Sequence, residues 1–172
     1  ITVLSTCCFL NKNNISIILV LTNDKQKSMS ELRIKDKSER VGLLSLNSPE
    51  KLNALSEEMI ETLSEGLKSF GSDPNIKAII IRAKGKAFCA GHDLKEMTLN
   101  RQKEDGGKEY FNWLFRKCAK MMAGISKIPK PVIAEVQGVA AAAGCQLVAS
   151  CDLAIASQEA TFGVNGVNIG LF

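Results

Sequence analysis

Two apolar runs constrain the fold of this chain more than any other feature. Residues 76–83 read IKAIIIRA and are bounded by turn residues, and residues 132–136 read VIAEV directly after Pro131. Such runs are typical of strands covered on both faces, because a strand with one face in water alternates apolar and polar residues. A long segment with helical periodicity separates the two runs. We therefore expect neighbouring strands joined by crossover helices.

The surrounding segments alternate between strand and helix patterns. Leu32 and Ile34 alternate with charged residues, which predicts a half-buried strand. Ser56 is a candidate N-cap, and apolar residues at helical spacing follow it until Gly71 ends the helix. Residues 85–91 are expected to form a glycine-bounded loop. Further strands are predicted at residues 41–46 and 152–156, and further helices at residues 108–125 and 142–150. This order predicts an α/β (or α+β) domain.

The composition argues against a nucleic-acid-binding protein. The net charge is only +4, the basic and acidic residues are interspersed, and one Trp and one Tyr are available for base stacking. Basic stripes and aromatic platforms are the usual footprint of that class. The small surplus of cations still suits a phosphate-bearing ligand. Neither G-x-G-x-x-G nor G-x-x-x-x-G-K-[ST] occurs, so a nucleotide-binding module is also disfavoured.

The cysteines predict reduced, buried thiols. The chain has six, of which Cys7 and Cys8 are adjacent and the others stand apart without any C-x-x-C spacing. His92 is the single histidine. Because a structural zinc site needs four Cys or His ligands at short spacing, we expect no metal site.

Residues 1–28 show no targeting signal. Their apolar run at residues 15–21 is far shorter than the ~20 residues of a spanning helix, so we expect no membrane association. No basic segment precedes the run, no A-x-A site follows it, and the first 32 residues lack the arginines of a mitochondrial transit peptide. Met29 opens a segment typical of a domain start. We expect residues 1–28 to be translated upstream sequence outside the domain, and residues 29–172 to form the domain.

Two segments differ from ordinary core sequence. Residues 86–97 (KAFCAGHDLKEM) follow a predicted buried strand and contain Gly91, where a ligand can approach the backbone closely. Residues 136–152 (VQGVAAAAGCQLVASCD) place small residues at a helix start, where amide N–H groups are unshielded. Two backbone donors from separate segments would suit an oxygen that becomes negative during a reaction. A glycine-bounded loop alone is usually a turn, an alanine-rich helix alone usually reflects tight packing, and the residues do not show that the segments meet.

Four ordered motifs resemble those of the crotonase (enoyl-CoA hydratase/isomerase) superfamily. They are SPEKLNAL at residues 48–55, AFCAGHDLKEM at residues 87–97, PKPVIAEVQGVAAAAGCQL at residues 129–147 and CDLAIASQEATFG at residues 151–163. The resemblance implies a crotonase-type fold, in which repeated ββα units form a spiral. It also implies a trimer or hexamer when full length, and an acyl-coenzyme A thioester as ligand. No separate cofactor is implied, because coenzyme A is part of the substrate.

The resemblance assigns the site residues. The backbone N–H groups of His92, after the glycine of the A-G-H-D motif, and of Ala143, before the last glycine of the helix-start run, are implied as an oxyanion hole. The His92 side chain would need an orienting partner or a positioned water to act as a base, and the sequence shows neither. The residues implied to lie along coenzyme A and the thioester are Lys51, Leu52, Ala54, Ala90, Gly91, Asp93 and Leu94.

The sequence departs from the family pattern at both glutamate positions of the hydratases. Gln146 and Gly166 stand there. Gln cannot take up a proton at neutral pH, and Gly has no side chain. Each positioned acid or base contributes ~10²–10⁴ in rate, so hydration by the usual mechanism should be nearly lost. Beside an enoyl-CoA hydratase or isomerase of fatty-acid metabolism, the alternatives are an acyl-CoA decarboxylase, another enolate reaction, or a non-catalytic acyl-CoA-binding protein.

The chain ends at Phe172, before the further spiral turns and C-terminal helices that the resemblance implies. We therefore expect a domain that is incomplete at its C-terminus, with apolar faces that the remaining part would cover. The resemblance implies a cytoplasmic location in a bacterium and the mitochondrial matrix in a eukaryote.

Overall fold

The structure, a computed structural model, describes residues 7–11, 14–20 and 40–164. Its strands are β1 (Cys7–Asn11), β2 (Asn14–Val20), β3 (Val41–Leu46), β4 (Ala78–Ala83), β5 (Ala87–Cys89), β6 (Val132–Val136), β7 (Val139–Ala141), β8 (Leu153–Ala156) and β9 (Phe162–Gly163). Its helices are α1 (Glu57–Ser72), α2 (Leu94–Arg101), α3 (Lys108–Ile125) and α4 (Ala143–Ser150), and a 3₁₀ turn spans Pro49–Lys51.

The described strands form two sheets. The larger has the order β1-β2-β8-β6-β4-β3, and the smaller has the order β5-β7-β9. Within them, β1 and β2 pair antiparallel and every other neighbouring pair runs parallel. Parallel neighbours need crossover connections. In the larger sheet α1 lies in the connection between β3 and β4, α2 and α3 in that between β4 and β6, and α4 in that between β6 and β8. The predicted α/β class with crossover helices is confirmed.

Helix α1 shows local sequence and core packing acting together. The Ser56 hydroxyl accepts a hydrogen bond from the Met59 N–H at 3.1 Å, which caps the helix as predicted. The ring of Phe70 lies over Gly42 of β3, where a β-carbon would overlap it. Each apolar side chain buried along this face contributes ~1.5–3 kcal/mol. The buried residues of the helix are Ile60, Leu63, Gly66, Leu67 and Phe70.

The prediction of a strand within residues 76–83 is correct, but the prediction that both of its faces are covered is not. The segment contains β4, but that strand is not packed closely on both faces by the described residues. Ile79 and Ile81 are fully buried, whereas Ile80 between them is half-buried. The strand thus alternates in burial although its sequence does not. The strand predicted at Leu32 and Ile34 lies outside the described residues.

Helix α3 coincides with the predicted helix at residues 108–125, whereas several short elements were not predicted. Residues 87–89 form β5, so the prediction of a loop throughout residues 85–91 is wrong. Strand β7 and helix α2 were not predicted either. Three-residue strands are too short to show a period of two, and α2 buries only Met97, so no apolar stripe marks it.

The four cysteines between residues 89 and 151 are thiols in or beside the core. Cys89, Cys118 and Cys151 are buried, Cys145 is half-buried, and none of these four forms a disulfide. Burial raises the pKa of Cys89 and Cys151 to about 12 and that of Cys118 to about 11, so these thiols stay protonated and unreactive near neutral pH. Among the described residues, no cluster of His, Cys, Asp or Glu could hold a metal ion. No helix in the described ranges is long and apolar enough to cross a membrane.

The expectation that residues 1–28 lie outside the domain stays a prediction. Within this segment β1 and β2 pair with each other, and residues 17–20 of β2 pair with β8. If the segment is an extension, deleting it from the full-length protein should leave the calorimetric melting temperature unchanged. A loss of several degrees would show that β2 stabilises the sheet at β8 and would contradict the prediction.

Candidate active site

The candidate site lies where two neighbouring strands of the smaller sheet end. Strands β5 and β7 run parallel, with Ala87 opposite Val139. Their carboxyl ends therefore lie at the same edge. Each strand continues into a helix, β5 through residues 90–93 into α2 and β7 through Ala142 into α4. In open α/β sheets, ligands bind at this end of the strands.

Gly91 and Ala143 bring the two predicted segments into contact. Gly91 has a φ of 99°, and a β-carbon placed there would lie 3.1 Å from Cβ of Ala142 and 3.5 Å from the backbone nitrogen of Ala143. A glycine suits both the positive φ and the close approach. The structure thus shows that the segments meet, which the sequence alone did not.

The backbone N–H groups of His92 and Ala143 donate to no group of the described residues. Their neighbours do donate: the Asp93 N–H reaches the Leu55 carbonyl at 3.3 Å, and the Ala142 N–H reaches the Gly163 carbonyl at 2.7 Å. Ala143 is the first residue of α4, where an N–H has no partner within the helix and lies at the positive end of the helix dipole. Two such donors on touching segments can bind one negatively charged oxygen.

A third segment, residues 52–55, holds the loop between β5 and α2. The Ala90 N–H donates to the Leu52 carbonyl at 3.0 Å, and the Leu55 N–H donates to the Gly91 carbonyl at 2.7 Å. Leu55 and His92 form an isolated parallel bridge. The predicted coenzyme A segment therefore contacts the loop that carries His92 through its backbone.

The predicted coenzyme A residues divide between surface and interior. Lys51, Leu52 and Leu94 are exposed, and the side chain of Leu94 is 55% exposed. Ala54 and Gly91 are buried, and Ala90 is half-buried. The first three side chains are therefore accessible at the surface, whereas the small residues lie mostly inside.

Asp93 caps α2. Its Oδ1 accepts hydrogen bonds from the N–H groups of Lys95 and Glu96 at 2.9 and 3.2 Å. The Nζ of Lys51 lies 3.8 Å from its Oδ2, and the Lys51 side chain remains 53% exposed. A cap and a nearby cation offset the burial of this carboxylate. Asp93 thereby links Lys51 to the start of α2.

The imidazole of His92 is half-buried against α3. Its Nδ1 is buried and makes no hydrogen bond with the described residues, and its ring meets Phe115 edge-on with centroids 5.6 Å apart. Burial lowers the pKa of His92, and the nearby Leu55 carbonyl opposes part of this effect. The ring is therefore neutral at pH 7. Within the described ranges no carboxylate pairs with it, so the orienting partner that a general base needs is not among these residues.

Two phenylalanines beside His92 were missed by sequence reasoning. Phe115 is 43% exposed and stacks on Phe111, with centroids 6.1 Å apart. The guanidinium of Arg101 lies 5.7 Å from the centre of the Phe111 ring. Phe111 and Phe115 are four residues apart in α3, a spacing that places them on one helix face and was the available signal. They form an apolar surface beside the candidate oxyanion residue.

The two replaced glutamate positions differ in what the structure shows. Gln146 lies in the first turn of α4, on the helix that Ala143 begins, and its side chain is exposed. Gly166 lies outside the described residues. The structure therefore places only Gln146 near the candidate oxyanion hole.

Ala142 has a strained backbone. Its φ of 48° and ψ of −120° lie in a region that favours glycine, and no side chain caps α4 at this point. Such conformations cost ~1–3 kcal/mol in non-glycine residues. The surrounding contacts, including the hydrogen bond to Gly163, keep Ala142 in place just before the candidate donor Ala143.

Relieving this strain should stabilise the protein. We expect Ala142→Gly to increase the free energy of unfolding by about 1 kcal/mol, because the relief of ~1–3 kcal/mol exceeds the ~0.5–1 kcal/mol entropic cost of glycine. Urea unfolding of the full-length protein measures this. Ala141→Gly, in β7, is the matched control and should be destabilising. Equal destabilisation by both changes would contradict the strain.

Comparison with known proteins gives a consistent result. The sequence pattern of the enoyl-CoA hydratase/isomerase family matches residues 36–172. Over 127 residues, or 74% of this chain, the sequence is 50% identical to the mitochondrial enoyl-CoA hydratase domain-containing protein 3 of Xenopus laevis, and the match covers 42% of that relative. The Homo sapiens protein of the same name is 48% identical over 74% of this chain and 40% of its own length.

Solved structures of enoyl-CoA hydratase family proteins superpose on this chain. An enoyl-CoA hydratase of Mycobacterium smegmatis superposes with a TM-score of 0.73 at 50% identity, over 80% of this chain and 52% of that one. The human domain-containing protein 3 gives a TM-score of 0.71 at 42% identity, over 78% and 51%. The chain thus spans about half the length of these proteins, and the expected crotonase-type fold is confirmed. This chain belongs to the enoyl-CoA hydratase/isomerase (crotonase) family.

Proposed function

We propose that this chain is the part of an acyl-CoA enzyme that holds the thioester carbonyl. The N–H groups of His92 and Ala143 would donate to the thioester oxygen and stabilise the enolate that forms when a bond at the α-carbon breaks. The observation that carries this proposal is the close approach of Gly91 to Ala143, which brings onto touching segments two donors that have no partner among the described residues. The enoyl-CoA hydratase names of its relatives support the same ligand class.

Backbone donors suit this task because they are fixed before the ligand arrives. The His92 N–H lies two residues before α2, and the Ala143 N–H begins α4, so both lie near helix N-termini. Removing one donor of an oxyanion hole costs ~2.7–4 kcal/mol of transition-state stabilisation. The side chains at both positions are then free to vary without loss of the site.

Coenzyme A is proposed to lie along residues 51–54. Lys51 offers an exposed cation for a phosphate group, and Leu52 offers an apolar contact. The hydrogen bonds between residues 52–55 and the loop at residues 90–93 support this placement of coenzyme A, because they bring residues 51–54 beside the proposed thioester site.

The acyl group is proposed to pass beside His92 along Phe115 and Phe111. Phe115 presents apolar surface next to the oxyanion residue, and the stack with Phe111 extends that surface along α3. A few apolar contacts would add affinity in proportion to the area that the acyl chain removes from water.

The reaction is proposed to belong to acyl-CoA metabolism, of the hydratase or isomerase type. A decarboxylation is the alternative: the bond from the α-carbon to a carboxylate breaks, CO₂ leaves, and the electron pair moves to the thioester oxygen before the α-carbon is protonated. That step needs the oxyanion hole and not the paired glutamates. The side chain of Gln146 favours this alternative, because an amide cannot act as an acid or base.

A non-catalytic acyl-CoA-binding protein is the second candidate. The same replaced positions support it, since the ligand site would persist without the acid and base. Turnover of a panel of acyl-CoA thioesters by the full-length protein distinguishes it from both enzymes.

The assembly and location are also proposals. We propose a homotrimer or hexamer of the full-length protein that uses no cofactor beyond the coenzyme A of its substrate. Several relatives carry the word mitochondrial in their names, which supports the matrix as the location in a eukaryote. In a bacterium the corresponding location is the cytoplasm.

The amide role of His92 and Ala143 predicts different effects for two substitutions. Ala143→Pro removes the N–H at a helix position that tolerates proline, so it should abolish the preference for an acyl-CoA thioester over a thioether analogue without the carbonyl oxygen. His92→Ala keeps the N–H, so thioester affinity should change by less than about tenfold, or ~1.4 kcal/mol. Calorimetric titration of the full-length protein with both ligands measures the preference.

Lys108→Pro is the matched control, because it removes an N–H at the first position of α3, outside the candidate site. It should retain the thioester preference. Equal and severe losses in His92→Ala and Ala143→Pro would show that the imidazole takes part.

The unmodified full-length protein should hydrate crotonyl-CoA poorly or not at all. Restoring both carboxylates with Gln146→Glu and Gly166→Glu should raise hydration by orders of magnitude, because each positioned acid or base contributes ~10²–10⁴ in rate. Either change alone should do little, since groups that act together are non-additive. The rate is followed as loss of the ultraviolet absorbance of the conjugated thioester.

Gln158→Glu adds the same charge in an exposed turn and should leave the rate unchanged. Rapid hydration by the unmodified protein would contradict this account, because it would require an acid and base other than the two replaced positions.

A further inference from the structure

Two side-chain amides converge on one backbone carbonyl at the start of β5. The Nδ2 of Asn53 donates to the Ala87 carbonyl at 2.8 Å, and the Nε2 of Gln137 donates to the same carbonyl at 3.0 Å. Asn53 also donates to the Lys84 carbonyl at 2.8 Å, and Gln137 to the Gly85 carbonyl at 2.9 Å. Together the two amides bind the whole turn between β4 and β5.

Asn53 is built into this position. It is fully buried, and its Oδ1 accepts a hydrogen bond from the Ser48 N–H at 2.8 Å. Its φ of 53° is left-handed, a conformation that Asn tolerates better than most residues. A residue without an amide would leave the carbonyls of Lys84 and Ala87 without this donor, and the bond to Ala87 is buried.

Gln137 donates to the same carbonyl from the connection between β6 and β7. It lies between β6 and β7, and its own carbonyl accepts from the Ser157 hydroxyl at 3.1 Å. Its Oε1 is buried and accepts no hydrogen bond from the described part of the chain. The orientation of this amide is therefore set by its two donor contacts, to Gly85 and Ala87.

These hydrogen bonds connect the starts of the two strands that lead to the candidate donors. Ala87 begins β5, which leads to His92, and Gln137 precedes β7, which leads to Ala143. Residues 52–55 then contact the far end of β5 through Ala90 and Gly91. The segment that contains Asn53 thus holds β5 at both ends, and Gln137 ties its first residue to β7.

We propose that Asn53 and Gln137 are positioning residues that set the separation of the His92 and Ala143 N–H groups. This inference rests on the proposed function of those two groups. Both amides donate to carbonyls within residues 84–87, and in the described part of the chain neither hydrogen-bonds to His92 or Ala143. Their effect would pass through β5 and β7, so their loss should reduce polarisation of the bound thioester more than it reduces affinity for coenzyme A.

The test uses Asn53→Asp and Gln137→Glu, which keep the shape of each side chain and replace its donor with oxygen. The probe is a cinnamoyl-CoA thioester with a para-dimethylamino group, whose absorbance moves to longer wavelength when its carbonyl is hydrogen-bonded. At pH 8 each variant of the full-length protein should lose about half of this shift or more, while its Kd for the probe rises less than about tenfold.

A pH profile separates positioning from simple destabilisation. Carbonyl oxygens around the introduced carboxyl disfavour its charged form, so its pKa should be raised. Below that pKa the protonated carboxyl can donate one hydrogen bond again, and the shift should recover as the pH falls from about 8 to about 5. Asn112→Asp, on the exposed face of α3, is the control and should show the unmodified shift at every pH.

The outcomes distinguish this inference from the proposed function. No shift in the unmodified protein would contradict the oxyanion hole itself. A normal shift in both variants, with or without a lower melting temperature, would overturn only the positioning role. If the fully buried Asn53→Asp variant does not fold, the half-buried Gln137→Glu variant decides the question by the same shift and pH profile.

Discussion

The candidate site depends on how closely the backbone of residues 138–144 passes β5. A β-carbon at Gly144 would overlap the carbonyl of Cys89, and one at Gly138 would overlap the carbonyl of Lys86. A backbone carbonyl in a sheet cannot move aside as the end of a flexible side chain can, so these positions exclude larger residues. Gly91 in turn packs against residues 141–143, so the segments that carry His92 and Ala143 are in contact.

The close approach of these two segments coincides with unusual backbone conformations and with polar groups that lack a hydrogen-bond partner. Ala142 adopts a backbone conformation suited to glycine, two N–H groups find no partner among the described residues, and the Nδ1 of His92 is buried alone. Features of this kind cost stability and persist where surrounding structure holds them in place. Here the described contacts that hold them include the hydrogen bond from the Ala142 N–H to the Gly163 carbonyl and the one from the Leu55 N–H to the Gly91 carbonyl.

The sequence predicts long, periodic elements well and short ones poorly. Helix α3 was predicted with its observed bounds because its apolar residues recur at helical spacing. Strands β5 and β7 are too short for any period, yet they lead to the candidate donors His92 and Ala143. The contact between Gly91 and Ala143 joins residues far apart in the chain, so no local pattern could reveal it. Only the family resemblance indicated His92 and Ala143, and nothing in the sequence marked the contact of Phe115 with His92.

The central claim is that one thioester oxygen meets two backbone N–H groups. A crystal structure of the full-length protein with a bound acyl-CoA thioester tests it most directly. The account predicts that the carbonyl oxygen lies about 2.7–3.1 Å from the backbone nitrogens of both His92 and Ala143. A well-ordered thioester whose oxygen lies beyond hydrogen-bonding distance of either nitrogen would contradict it.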